Sequence, residues 1–475
     1  MAPKTLLIFC DGTGMDGTLA PPKSDVNARD SVEAAALQLS STLADSSLKP
    51  QYLPRLEGTH IRTDEALPQL KSEKIDEDSL EFSTQSLTGI GIEDVAGGNV
   101  QYATNVIRLS RSIKSHDANG NRQIAFYQSG VGSESTFKGD QITGTTAMQA
   151  LGTAVASKIR DAYVFIAQNF DDGDEICLFG FSRGAYTARK LAGLIDRIGL
   201  LTREQLGFFF EIWLELVDDK TPQIPPDTRR PTIKCVGVWD TVGSVYKEID
   251  ALSIVDTDLP KTIKVALHAI SLQENRMKFL PTLWTIPKGG LGANQVLKQV
   301  WFVGAHSDVG GRYERHELAD ISLYWMTGKL KSFIDIDLKF LRTFAQVKPN
   351  PWGTSQPHNA YKDTPIALRP IIGHETRLES NQIVQQSVFH ESVRYSPQQL
   401  ASPDYMITMS IIQKKFGSDF KPQYLALNEF EQYCKDHWGR GLSISHGVES
   451  PASVIRSTAR WVGMLPRSLF LLDTL

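Results

Sequence analysis

The stretch that most constrains how this chain can fold is GDEICLFGFSRGAYTARKLAGLIDRIGLL at 173–201. Residues 175–179, EICLF, form a short apolar run of the kind that makes a strand buried on both faces. Gly180-Phe-Ser-Arg-Gly184 follows with no spacer. From Ala185 the apolar residues recur at helical spacing (Ala188, Leu191, Ala192, Ile195, Ile198), and Gly199 stands where a helix would end. A strand feeding a helix through G-x-S-x-G requires a sharp turn. Such a turn lifts the Ser182 hydroxyl clear of the sheet, while Gly180 and Gly184 let the two backbones approach.

The rest of the chain supplies the sheet that this turn needs. Apolar runs at 5–10, 123–128, 233–239 and 300–305 read as further strands. Helical spacing recurs at 104–109, opened by a Thr or Asn cap, and at 145–169, 203–217, 259–274, 319–330 and 425–438. Strands alternating with helices give an α/β fold, a mainly parallel sheet with helices on both faces. Two regions break the pattern. Residues 17–98 are polar, carry an acidic cluster and contain Pro21-Pro22, so they read as an insertion in the catalytic domain at 1–343. Beyond residue 343 the periodicity weakens, and 344–475 reads as a C-terminal extension or cap packed on that domain.

A serine hydroxyl is a weak nucleophile and needs a base, itself oriented by a carboxylate. Strand, G-x-S-x-G and helix together are the nucleophile elbow of α/β-hydrolases, where acid and base follow the serine at the ends of later strands. Asp240 ends the apolar run of CVGVWDTVG, and His306 ends that of VWFVGAHSDVGG. Ser182, Asp240 and His306 are therefore the candidate catalytic set. Asp308 competes for the acid position but reads better as a brace for the turn holding His306. His390 competes for the base position, and His268 falls inside an expected helix. The Arg183 amide, at the start of the helix, is one candidate oxyanion donor. The turn Asp11-Gly-Thr-Gly14 offers Gly12 or Thr13 as the second. An aromatic cluster at 208–213 reads as core, with the lining of an acyl pocket or a lid as the alternative.

Composition narrows the partners. The net charge is −4 and no Lys/Arg-rich block occurs, so a nucleic-acid partner is not expected. No HExxH or CxxC is present, and neither a metal nor another cofactor is expected. The apolar run near the N-terminus is too short for a signal-peptide core, and no run is long enough to span a membrane. Four cysteines, three of them in expected buried strands, fit a reducing compartment. These features point to a soluble cytoplasmic protein, with membrane contact limited to the periphery.

The motifs FCDGTG, ATNVIRL, YQSGVG, GDEICLFGFSRGAYTARKLAGLI, CVGVWDTVGS and VWFVGAHSDVGGRY occur in this order. Together they resemble the uncharacterised α/β-hydrolase domain family whose best understood members are catalytic domains of type VI secretion phospholipase effectors. The resemblance runs from Thr5 to about Met326, interrupted at 17–98. It implies a serine lipase-type hydrolase with Ser182 as nucleophile, and it favours Asp240 and His306 as partners. The expected function is cleavage of carboxylic esters, in particular acyl esters of lipids or phospholipids. An acyltransferase with the same three residues and a non-catalytic binding module are the alternatives.

Overall fold

The computed structural model describes residues 2–12, 102–130, 147–218, 220–243 and 257–440, so the insertion expected at 17–98 lies outside the described residues. Among the described residues the sheet has eight strands. They are β1 (Thr5–Cys10), β2 (Gln123–Gln128), β3 (Glu175–Phe181), β4 (Ile233–Trp239), β5 (Ile263–Ser271), β6 (Val296–Phe302), β7 (Val388–His390) and β8 (Gln423–Leu425). Their order is β2-β1-β3-β4-β5-β6-β7-β8, and every neighbouring pair is parallel.

The unbroken apolar runs of the central strands follow from this arrangement. Successive side chains point to opposite faces of a sheet, and here both faces are covered. Leu6 and Ile8 of β1 pack with Ile176, Leu178, Val236 and Val238 beneath α2 (Ala147–Asn169) and α3 (Ser182–Ile198). Leu7 and Phe9 pack on the other face with Cys177, Phe179, Cys235 and Trp239. That face is covered by α1 (Asn105–Arg111) and α6 (Glu317–Leu330), the latter through Trp325 and Met326. Leu6, Leu7, Ile8 and Phe9 are all fully buried, and truncating any one of them to alanine costs about 2–5 kcal/mol. The cap expected on the first helix is present, with Thr104 accepting from the Ile107 amide. Gly199 ends α3 at φ 78°, a region open to glycine without penalty.

Two expectations are corrected. Within 259–274 the chain forms the strand β5 (Ile263–Ser271) instead of a helix. A strand buried on both faces has no polar alternation, so its periodicity does not separate it from a buried helix. Pro260 accepts from the Ile263 amide in the turn that starts the strand. Residues 203–217 begin as a 3-10 turn (Glu204–Phe208) and become helical only at α4 (Phe209–Val217). Phe209 is buried against Tyr163, which donates to the Gly199 carbonyl. α4 therefore sits at the far end of α3 from Ser182, about 25 Å along a 17-residue helix. This position does not line a pocket at Ser182.

The sheet continues past residue 343. β7 and β8 extend it beyond β6, and residues up to Gly439 belong to one compact unit. Residues 344–439 thus supply strands to the same sheet as the region that carries the motifs.

Candidate active site

β3 lies between β1 and β4 in the middle of the sheet, and the chain turns directly from Phe181 into α3. Ser182, the first helical residue, takes φ 58°, a left-handed conformation costly for any residue with a Cβ. The flanking glycines explain how so tight a turn fits. A Cβ on Gly180 would lie 2.4 Å from the Gly184 carbonyl oxygen, and one on Gly184 would lie 2.1 Å from that of Cys10. Helix start and strand ends are therefore in backbone contact, which only glycine permits.

Because β4 is the neighbour of β3, Asp240 emerges beside Ser182, and its backbone takes φ 40° as it leaves the strand. His306 follows β6 and opens the short helix α5 (His306–Gly310). The three side chains meet. His306 Nδ1 is 2.6 Å from Asp240 Oδ2, and Nε2 is 2.8 Å from Ser182 Oγ. An ionised carboxylate only accepts, so Nδ1 carries the proton and Nε2 is left as acceptor for the serine hydroxyl. Phe181 and Phe279 wall the imidazole, with ring centroids 4.6 and 5.2 Å from it. In this geometry a hydroxyl can pass its proton to a neutral imidazole while a fixed anion stands behind the ring.

Several residues of this cluster had no signal in the sequence. Arg377, fully buried, donates from Nη1 to Asp240 Oδ1 at 2.7 Å and from Nη2 to Oδ2 at 2.9 Å. Ser271 adds its amide to Oδ1 and its hydroxyl to Oδ2. Burial alone would push the Asp240 carboxyl up, but Arg377 and the His306 bond outweigh it and hold the group well below the usual carboxylate range. Glu274 accepts the His306 amide at 3.0 Å and is matched by Arg276. His268, kept neutral by burial with its pKa lowered to about 3, accepts the Thr241 amide at 3.1 Å and so pins the residue after Asp240.

The remaining sequence candidates fall in different places. Asp308 accepts the Ala305 amide and pairs with His358 at 2.7 Å, bracing the turn that carries His306. His390 is buried in a separate cluster, facing Glu431 and Ser392. Gly12 lies beside the serine, where an added Cβ would be 3.6 Å from Ser182 Cβ. Its amide donates to Asp11 Oδ1 at 2.7 Å. Thr13 lies outside the described residues. Arg183 is the second residue of α3, in the turn whose amides find no acceptor within the helix. Among the described residues no group of three or more His, Cys, Asp or Glu side chains is placed to hold a metal, and no helix is long and apolar enough to cross a membrane.

In Saccharomyces cerevisiae (strain ATCC 204508 / S288c) the uncharacterized protein YEL023C is 29% identical over 214 residues, covering 39% of this chain and 31% of that protein. The chain thus spans about a third of that relative's length. Among solved structures, the Tle1 effector bound to the VgrG spike from the type VI secretion system aligns with a TM-score of 0.30 at 17% identity, over 66% of this chain and 51% of that one. An uncharacterized protein from Pseudomonas aeruginosa aligns with a TM-score of 0.27 at 16% identity, over 53% and 48%. A model of the Tle1-like catalytic domain of type VI secretion phospholipase effectors matches residues 91–329, half of the chain and the span holding Ser182, Asp240 and His306. The chain belongs to this Tle1-like catalytic domain family.

Proposed function

We propose that this protein is a serine hydrolase that cleaves carboxylic esters, with acyl esters of phospholipids or other lipids as its substrate class. The observation that carries the reading is the unbroken chain from Ser182 Oγ through His306 to Asp240, at 2.8 and 2.6 Å, with the imidazole tautomer set by the carboxylate. Ser182 Oγ attacks the ester carbonyl while its proton passes to His306 Nε2. The imidazolium so formed keeps its Nδ1–H on Asp240. The carbonyl oxygen becomes an oxyanion facing the first turn of α3, where the Arg183 amide is one donor. The second is assigned to the turn after β1, where the Gly12 amide is committed to Asp11 Oδ1 and Thr13 is the remaining candidate. His306 then returns the proton to the leaving alkoxide, and the alcohol departs. Water enters, gives a proton to Nε2 and attacks the acyl-enzyme, and the acid is released as the proton returns to Ser182.

The lipid part of the reading rests on the family, whose model describes the Tle1-like catalytic domain of type VI secretion phospholipase effectors. The test is labelling with a fluorophosphonate probe, followed by turnover of p-nitrophenyl esters of graded acyl length and of phospholipid vesicles. Expected are labelling of the parent at Ser182, none of Ser182→Ala, and a loss in kcat of roughly 10⁶ in that variant. Turnover by purified Ser182→Ala at a parental rate would refute the mechanism. Product analysis with an added alcohol separates hydrolysis from acyl transfer.

A further inference from the structure

We infer that Arg377 is a positioning residue of the proposed reaction, fixing the plane and charge of the Asp240 carboxylate from a segment beyond the matched catalytic region. The inference rests on the Ser182–His306–Asp240 reading. Failure of that reading would appear separately, as activity retained in Ser182→Ala.

The geometry is that of a clamp. Arg377 offers both terminal nitrogens to Asp240, one to each oxygen, and Nη2 also donates to the Phe279 carbonyl at 2.9 Å. A two-pronged bond of this kind fixes the orientation of a carboxylate, which a single contact does not. Asp240 leaves β4 at φ 40° with one oxygen turned to His306, and Arg377 adds a charged fork to the two bonds from Ser271. Arg377 itself is held by pairing between its segment and the loop after β5. Arg276 bridges His374, the Met277 amide donates to Gly373, and the Glu375 amide donates to Asn275. Among the described residues Arg377 Nε has no hydrogen-bond partner, so the side chain is committed to the site through its terminal nitrogens alone.

The clamp also sets the electrostatics. The formal charges of Arg377 and Arg276 match those of Asp240 and Glu274, so the resting cluster is neutral. Of the other charged groups around it, His268 on β5 is neutral, Asp308 on α5 pairs with His358, and Arg189 on α3 donates to the Thr282 carbonyl. The imidazolium formed on attack is then balanced by the oxyanion. Without Arg377 the resting cluster carries an uncompensated negative charge beside the base.

The experiment compares Arg377→Lys and Arg377→Met with the parent in the full chain. Each is checked for folding by circular dichroism and thermal melting, then followed for kcat and KM against pH on a p-nitrophenyl ester. Lysine keeps the cation and loses the fork. Its kcat is expected to fall about 10–100-fold with KM within about twofold, and the acid limb of its kcat/KM profile stays with the parent. In Arg377→Met the acid limb moves up by about 1 pH unit or more. Folded Arg377→Lys with parental kcat overturns the inference. So does folded Arg377→Met with an unmoved acid limb. Failure of Arg377→Lys to fold also overturns it, since the residue would then serve the fold and not the reaction. If only Arg377→Met fails to fold, the lysine variant decides.

Discussion

Gly184→Ala probes whether the turn at Ser182 depends on backbone contact, as its geometry requires. The added Cβ would meet the Cys10 carbonyl oxygen at 2.1 Å and that of Asp11 at 2.4 Å, both fixed backbone atoms at the end of β1. Relief requires the start of α3 and the end of β1 to part by about 1 Å, in an interior packed too densely to absorb it. Overpacking against side chains costs about 1–3 kcal/mol, and here no side chain can turn aside, so a loss of about 3 kcal/mol or more is expected. The displaced strand end carries Asp11 and Gly12, so ester turnover per folded molecule should fall as well. Gly207→Ala is the control, because nothing lies within 4 Å of its Cβ position. Alanine there should leave stability unchanged or raise it by about 0.5–1 kcal/mol. Urea unfolding followed by tryptophan fluorescence measures both. If Gly184→Ala unfolds within about 0.5 kcal/mol of the parent, the strand and helix are not in backbone contact and the account of the turn is wrong.

Other outcomes follow from the same geometry. Ser182→Gly and Ser182→Ala should both be inactive, but the glycine variant should be more stable by about 1 kcal/mol because residue 182 sits at φ 58°; equal stabilities in urea would remove the strain. Burial raises the Asp11 carboxyl to about 6, against the hydrogen bonds from Tyr127, Gly12 and Thr104 that lower it. Between pH 4 and 6 the unfolded chain therefore gives up this proton first, and stability falls as pH rises. Relative to Asp11→Asn, the parent should lose on the order of 3 kcal/mol between pH 4 and 7, and a pH-independent difference between the two would refute this. His306→Ala should abolish fluorophosphonate labelling of Ser182, whereas folded His390→Ala should label normally; the reverse result would move the base to the later strand.

What was legible in the sequence depended on local pattern. Ser182, Asp240 and His306 could be picked out because each follows an apolar run directly, with glycine nearby to allow the turn. β7 and β8 were not legible, because three residues each are too few to show a period. The strand β5 was read as a helix, and this hid the loop after it, which carries Glu274 and Arg276. Arg377 stands 137 residues from the carboxylate it holds, and no spacing rule reports a pairing of that kind. A buried arginine is uncommon enough that composition offers no hint of it either. The commitment of the Gly12 amide to Asp11 is equally a fact of geometry, since the turn's sequence presents both amides alike.

The chain builds a second serine, histidine and carboxylate sequence, and the two differ in what else holds their atoms. His390, fully buried, has Nε2 2.7 Å from Glu431 and Nδ1 2.8 Å from Ser392 Oγ, distances close to those around His306. His390 Nδ1 also accepts the Ser392 amide, as the cap of the 3-10 turn Glu391–Tyr395. Glu431 is tied to the cap of the helix Glu429–Asp436, where its other oxygen accepts the Asn428 amide. Ser392 is two residues from its histidine and follows from local turn geometry. Ser182 is brought to His306 across 124 residues, on a strained turn that costs stability and opens onto the first turn of α3. Strain borne at a residue that local structure does not require is a mark of a working site. The same three kinds of side chain, with the two ring nitrogens exchanged, cap helices in one place and, in the proposed mechanism, move a proton in the other.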